Sequence, residues 1–246
     1  MKYLVVIPYC SKGAQGRELE YAVAGWRKHF MEDYLIVLAG EDHPITKTGD
    51  DICCVESERV AEAEGQWRPH LDYVSCLRKV HEAFPDSEGY IMVADDCYAV
   101  NDFDFADVRF LKALPEDIFA CANPFNGWEV DKVKTRKTLL DNGYPIHNYT
   151  THLPEWYEWE KVEALWNRFH MDEESRTIED LYYNIYFKDR IPFFLAEGDN
   201  LKAGIYTDGV DDAFLRDAFS RKIWVTNSPL GWTPLLEQKL KEHYGI

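Results

Sequence analysis

The sequence predicts an α/β fold: a mostly parallel, twisted sheet flanked by helices, followed by a less regular C-terminal half. Three observations carry this. The runs YLVVIP (3–8), YLIVLAG (34–40) and YIMVA (90–94) are short, apolar and continuous, as strands buried on both faces are. Between the first two, Leu19, Ala22, Val23, Trp26 and Phe30 recur at helical spacing over 18–30. The resulting order, β-loop-α-β-β-α-β, is that of parallel strands joined by crossovers.

The remaining elements follow from the same patterns. ICCVE (52–56) reads as a short third strand. Residues 57–84 carry a helical face of Leu71, Val74, Leu77, Val80 and Phe84. Further on, FADVRFLKALP (105–115) reads as a short helix and IFACANPF (118–125) as a strand. KVKTRKTLLDNG (132–143) suits a helix or a hairpin closed at Asn142-Gly143. Helices are predicted at 158–169 and 177–187, and a last one over LLEQKLKEHYG (235–245) is capped by Gly245. No repeat or linker interrupts the chain, so one domain over 1–246 is expected.

Composition narrows the function. With 44 acidic and 27 basic residues the formal net charge is −17, which repels phosphate backbones and argues against nucleic-acid or anionic-membrane partners. A single nucleotide held through a cation remains compatible with it. After Lys2 only five apolar residues precede Pro8, too few for a signal-peptide core, and no run is long enough to span a bilayer. A cytoplasmic protein without membrane insertion is expected. The six cysteines lack metal-finger spacing and read as reduced, mostly buried thiols. Aromatic residues make up 15% of the chain, which cores use more often than sugar sites do.

The stretch YIMVADDCYAV (90–100) ends an apolar strand in two carboxylates. Parallel sheets bind ligands beyond the carboxyl ends of their strands, where Asp95 and Asp96 and the loop after Pro8 both fall. Hard divalent cations prefer carboxylate oxygens. Asp-Asp is also a common solvated turn, and both side chains can reach one ligand only if the strand turns there.

VIPY at the end of the first strand and IMVADDCYAV resemble GT-A-type glycosyltransferases, which hold Mn²⁺ or Mg²⁺ on a nucleotide-sugar diphosphate with an Asp-rich motif. The blocks YTTHLPEWYEWEKVEALW, RTIEDLYYNIYF and RKIWVTNSPLGWTPLLEQKL are similar to bacterial and phage capsule-type transferases, some related to Stealth sugar-phosphate transferases. Cys97 stands where that motif usually carries a further carboxylate.

The resemblance implies a nucleotide-binding half over 1–125 and an acceptor-side half over 126–246. It implies a nucleotide-diphosphate sugar donor, a saccharide-like acceptor, and Mn²⁺ or Mg²⁺ at Asp95 and Asp96, with Asp95 also near the ribose. Pro8, Tyr9, Ser11, Lys12 and Arg17 would frame the nucleotide, and Arg68 is a further phosphate candidate. His152, Glu179 or Asp180 would activate the acceptor hydroxyl, with His147 as a nearby substitute. Each also has a plain structural reading: loop charges for Lys12 and Arg17, a buried hydrogen-bonded histidine for His152, and first-turn helix acids for Glu179, Asp180 and Glu18. Trp128, Trp156, Tyr157 and Trp159 could stack on sugars, although core packing is their default. Trp232 reads as packing a C-terminal turn, and Asp208, Asp211 and Asp212 as turn and capping residues. Sugar-phosphate transfer and a non-catalytic binding module are the alternatives.

Overall fold

Alternate residues of the central strands supply two different cores, which is why the apolar runs are continuous. In this computed structural model, which describes residues 2–11, 13–41, 44–45, 50–58, 60 and 68–246, β1 (Tyr3–Cys10) sends Leu4 and Val6 to one side and Val5 and Ile7 to the other. β2 (Tyr34–Glu41) divides Val37 and Ala39 from Ile36 and Leu38 in the same way. β4 (Gly89–Met92) places Tyr90 and Met92 opposite Ile91. Each such aliphatic side chain, fully buried, stabilises the fold by roughly 1.5–3 kcal/mol.

With β3 (Ile52–Glu56) and β8 (Glu155–Glu158) these strands form a five-stranded sheet in the order β3-β2-β1-β4-β8, in which only β8 runs antiparallel. The expected α/β class, with its mostly parallel sheet, is what the chain adopts. α1 (Glu18–His29) packs Leu19, Val23 and Trp26 on one face of the sheet. Its first-turn Glu18 and Glu20 and last-turn Arg27 and Lys28 complement the helix dipole. The opposite face is covered by α2 (Pro69–Ala83), α5 (Trp159–Phe169) and α6 (Ile178–Tyr186). Of the helix expected over 57–84, Pro69–Ala83 is helical; 57, 58 and 60 are not, and 59 and 61–67 lie outside the described residues.

The second half differs from its expected outline. The helix expected over 105–115 stops early, as α3 (Phe105–Arg109), because Lys112 is buried and its Nζ donates back to the carbonyls of Val108 at 3.1 Å and Phe110 at 3.3 Å. The strand follows at once as β6 (Lys112–Asp117). No strand forms over 118–125, where side chains capture the backbone instead: Phe125 N donates to Asn123 Oδ1 at 3.0 Å and Asn123 N to Glu129 Oε2 at 2.8 Å. KVKTRKTLLDNG is helical, within α4 (Gly127–Asp141), and Gly143 (φ 71°) lies just past its end rather than in a hairpin.

β6 joins β7 (His147–Asn148) and β9 (Phe193–Phe194) in a second sheet. A third unites β5 (Cys97–Ala99), β10 (Lys202–Ile205) and β11 (Trp224–Asn227). α7 (Asp212–Arg221) is capped by Asp211, while Asp212 pairs with Arg216 and with Lys239 at 2.8 Å. α8 (Pro234–Tyr244) ends at Gly245 in the left-handed region, as expected. All six cysteines are free, but only Cys76 and Cys97 are buried, against the expectation that most would be. Among the described residues no helix is long and apolar enough to cross a membrane.

Pairing of β1 with β4 stops at Val6 and Met92, and β1 then continues to Cys10 against β2 alone. Val93 N still donates to Val6 O at 3.1 Å, so Val6, and by alternation Pro8, face that edge. Proline has no N–H to offer there. The chain leaves the sheet and turns over Asp95 and Asp96, closed by Cys97 N donating to Ala94 O at 3.3 Å.

At Gly40, paired with Tyr9 and at φ 137°, a Cβ atom would lie 2.1 Å from Tyr9 O. Gly40→Ala is therefore expected to cost roughly 2–4 kcal/mol, measured by urea unfolding; an unchanged midpoint would refute this account of the strand edge.

Candidate active site

Beyond the carboxyl ends of β1, β2 and β4 lies a cavity of about 620 Å³, lined by Pro8, Tyr9, Gly40, Glu41, Tyr73, Asp95 and Asp96 among others. Its described lining includes six carboxylates (Glu18, Glu41, Glu58, Asp72, Asp95 and Asp96) and no Lys or Arg. The strand does turn at the Asp-Asp pair, so both carboxylates face this one space. Glu18 is fixed beside them by Gln15 N at 2.6 Å and Asn227 Nδ2 at 3.1 Å.

Burial, then the charge of Glu18, raises Asp95 to about 7. Burial, Asp95 and Glu18 together raise Asp96 to about 7, against the opposing charge of Lys202. The Oδ1 atom of Asp96 is buried and has no hydrogen-bond partner among the described residues. Such a pair favours a positive ligand. Among the described residues no group of three or more His, Cys, Asp and Glu is placed to hold a metal ion. A cation at Asp95 and Asp96 would therefore complete its shell with substrate oxygens and water, as Mg²⁺ commonly does.

Past Pro8 and Tyr73, which line both spaces, is a recess of about 60 Å³ containing His70, His152, Glu155, Glu179, Thr150 and Trp128. Tyr73 has its pKa raised by burial and then by Glu179, Asp95 and Asp96, so it stands between the two spaces. Glu179 is raised by burial, and its Oε2 atom is a second buried carboxylate oxygen without a described partner.

His152 takes a left-handed conformation, φ 59°. Its loop is held by Lys202 Nζ donating to Thr151 O at 2.5 Å and Thr151 Oγ1 donating to Glu155 Oε1 at 3.2 Å. The ring is set deep among protein atoms, and that enclosure, with Lys202, Lys132 and His70, lowers its pKa to about 4. The residue keeps exposed surface and lines the recess, and its ring is neutral at pH 7.

The residues expected from sequence are thus divided. Pro8, Tyr9, Asp95 and Asp96 meet in the large cavity, and His152 and Glu179 in the recess. Lys12 lies outside the described residues. Ser11 is in an exposed turn, and Arg17 bonds Glu20 at 2.9 Å and covers Tyr21, away from the cavity. Arg68 pairs with buried Asp131 at 3.1 Å. Asp180 is fully buried and committed: Lys132 Nζ lies at 3.1 Å, and Tyr149 N and Thr177 Oγ1 donate to it at 2.7 and 2.8 Å. It lines neither space. His147 lies 3.8 Å from Asp117, in the second sheet.

Of the aromatic residues, Tyr157 and Trp159 are core, Trp156 packs on Tyr3 and Phe105, and Trp128 reaches the recess. Trp232 packs near Tyr21 and Tyr98, and Asp208 sits in a turn. Cys97, at the departure from the Asp-rich pattern, is buried, and burial raises its thiol. Sequence reasoning missed the cavity role of Glu18 as well as Tyr73, His70, Asp131 and Lys202. His70, two positions past Arg68, was the nearest to a signal; the others carry none.

No protein-family model matches the chain, and no curated protein does. Solved structures similar to it include a glycosyltransferase involved in the glycosylation of the major capsid of PBCV-1, 12% identical, with 100% of both chains covered and a TM-score of 0.41. An active-site mutant of LgtC is 13% identical over 98% of this chain and 95% of that one, with a TM-score of 0.49. The galactosyltransferase LgtC in complex with donor and acceptor sugar analogues is 10% identical over 98% and 95%, at 0.47. These values are too low for the likeness to bear on function.

Two outcomes follow from the carboxylates. Asp180→Asn leaves buried Lys132 without its counter-charge and is expected to cost about 3–5 kcal/mol in urea unfolding; a loss under ~1 kcal/mol would contradict a structural role. Asp96, raised to about 7 in the fold, keeps a proton that the unfolded chain releases near pH 4, so stability falls as pH rises through that window. Asp96→Asn should therefore stabilise the protein at pH 7.5 by an amount on the order of 1–3 kcal/mol and be close to neutral at pH 4. A variant less stable at both pH values would show that the burial of Asp96 is not a cost.

Proposed function

We propose that the protein transfers a sugar from a nucleotide-diphosphate sugar to a saccharide-like acceptor, with the donor in the 620 Å³ cavity and the reacting sugar at the mouth of the recess. The observation that carries this is the buried Oδ1 of Asp96, without a partner among the described residues, in a carboxylate pair beyond the ends of parallel strands. The volume suits a nucleotide. The acidity of the lining means a diphosphate enters only with cations, and Asp95 and Asp96 are the residues that would hold Mn²⁺ or Mg²⁺. Such an ion, when bound, supplies charge neutralisation for the departing diphosphate.

Around that centre the chain's own residues have separate tasks. Pro8 and Tyr9 frame the donor. Glu179 offers an unsatisfied oxygen to a sugar hydroxyl, and the polar recess receives the part of the substrate that reacts. His152 borders it as a neutral ring. Asp180 and Arg68, both committed within the protein, take no part in this reading, and Arg17 points elsewhere.

The test is calorimetric binding of UDP, GDP, CDP and dTDP, with and without Mn²⁺, to wild type and Asp96→Ala. One nucleotide should bind tightly only with metal, and lose at least about tenfold in affinity, ~1.4 kcal/mol, in the variant. Metal-independent binding, or none, would refute the donor site. With the matching nucleotide sugar, release of nucleoside diphosphate marks sugar transfer, whereas monophosphate would mark sugar-phosphate transfer.

A further inference from the structure

The recess contains a second arrangement that the donor site does not use. His70 is buried in the first turn of α2, and its Nδ1 lies 3.1 Å from Asp131 Oδ2 on α4. Asp131 is fully buried and also accepts hydrogen bonds from Ser175 Oγ at 2.5 Å and Arg68 Nη1 at 3.1 Å. Burial alone would push its carboxyl up. The hydrogen bond from His70, with that from Ser175 and the charge of Arg68, outweighs that and holds it below the usual range.

An ionised Asp131 fixes the tautomer of His70: Nδ1–H donates to the carboxylate, and Nε2 keeps its lone pair. Among the described residues Nε2 has no protein partner, and the ring lines the recess. A recess of about 60 Å³ is well below the roughly 150 Å³ of a cavity that admits a benzene ring, so it holds water or a hydroxymethyl arm but no pyranose ring.

We propose that His70 is the general base of the transfer, accepting the proton of the hydroxyl that enters the recess, with Asp131 as its positioning residue. This rests on the reading of the larger cavity as the donor site. The hydroxyl oxygen forms the new bond to the anomeric carbon as its proton passes to Nε2. The anomeric C–O bond to the diphosphate breaks, and its electron pair leaves with the nucleoside diphosphate. The imidazolium formed faces the Asp131 carboxylate.

The other basic groups suit the step less well. Asp180 is consumed by Lys132, Tyr149 and Thr177. Glu155 is buried, bonded to Tyr157 and Thr151, and faces the charge of buried Lys112, burial raising the acid and lowering the amine. Glu179 is left to accept a hydrogen bond from the same hydroxyl and orient it. The charged and titratable groups facing His70 are Asp131 from α4, Glu179 from α6, His152 from its loop, and Tyr73 and Arg68 beside it on α2.

The experiment uses water as acceptor. UDP-, GDP-, CDP- and dTDP-sugars are supplied with Mn²⁺ to the full chain, and release of nucleoside diphosphate is followed from pH 5 to 9. In His70→Gln and His70→Asn, calorimetric affinity for the nucleoside diphosphate should stay within about twofold, while turnover falls by about 10²–10⁴. Glu179→Gln should lose less. With Mn²⁺ and nucleotide sugar kept saturating at each pH, so that protonation of Asp95 and Asp96 does not limit occupancy, wild type and Glu179→Gln should both lose rate as the pH falls, and the residual rate of the His70 variants should lack that limb.

His70 variants that bind and turn over like wild type would overturn the proposal, as would transfer of the acid limb to Glu179. If neither His70 variant folds, a wild-type profile without an acid limb still overturns it. Wild type that binds no nucleotide is a separate result, which fails the donor-site reading itself.

Discussion

β1 outlasts its neighbour β4, because Pro8 presents no N–H to the edge where β4 would have continued. From that one interruption the rest of the site follows. The chain after Met92 must leave the sheet, and it turns with Asp95 and Asp96 at the corner. The gap beside Pro8 becomes the passage between the larger cavity and the recess, since Pro8 lines both. Gly40, on the other flank of β1, allows β2 to approach Tyr9 closely enough to close the wall.

Carboxylates around this opening divide into two kinds, and the division separates architecture from chemistry. Asp131 and Asp180 are fully buried, yet every demand they make is met, by Arg68, His70 and Ser175 in one case and by Lys132, Tyr149 and Thr177 in the other. They join α2, α4 and α6 into the layer that backs the recess. Asp96 and Glu179 each keep a buried oxygen with no described partner. Among the described residues these two oxygens are the buried carboxylate atoms without a partner, and their residues line the larger cavity and the recess respectively. Glu179 and Asp180 are adjacent in sequence but lie about 100° apart around the helix, enough to send one into the recess and the other into the core.

The dyad of Asp131 and His70 joins these two kinds. A satisfied carboxylate holds a ring whose other nitrogen has no partner among the described residues, so structural order is passed to a group that faces the recess. That carboxylate is itself held by Ser175 and Arg68 as well as by the ring. The acidic cavity next door has the opposite character, with negative charge that no described lining residue neutralises.

Much of this was legible in the chain. Continuous apolar runs ending in YIMVADD, with helical spacing between them, determined the parallel sheet and the place of the Asp-Asp pair, because local periodicity is set by which faces are buried. Pro8 and Tyr9 were expected from the loop after the first strand, and His152 and Glu179 from the resemblance of their sequence blocks; the first two line the larger cavity and the last two the recess. The strand at 112–117 was not, because it depends on the buried Lys112, whose Nζ donates back to the carbonyls at the end of α3. Nor were the fates of Arg17, Arg68 and Asp180 legible, each decided by a partner near or far in sequence. His70, Tyr73, Lys202 and Asp131 come from elements far apart in the chain. Sequence alone determines which residues are apolar, which can carry charge, and where strands end. Only the tertiary structure decides which charges are neutralised, because that depends on distances between segments that no local pattern encodes.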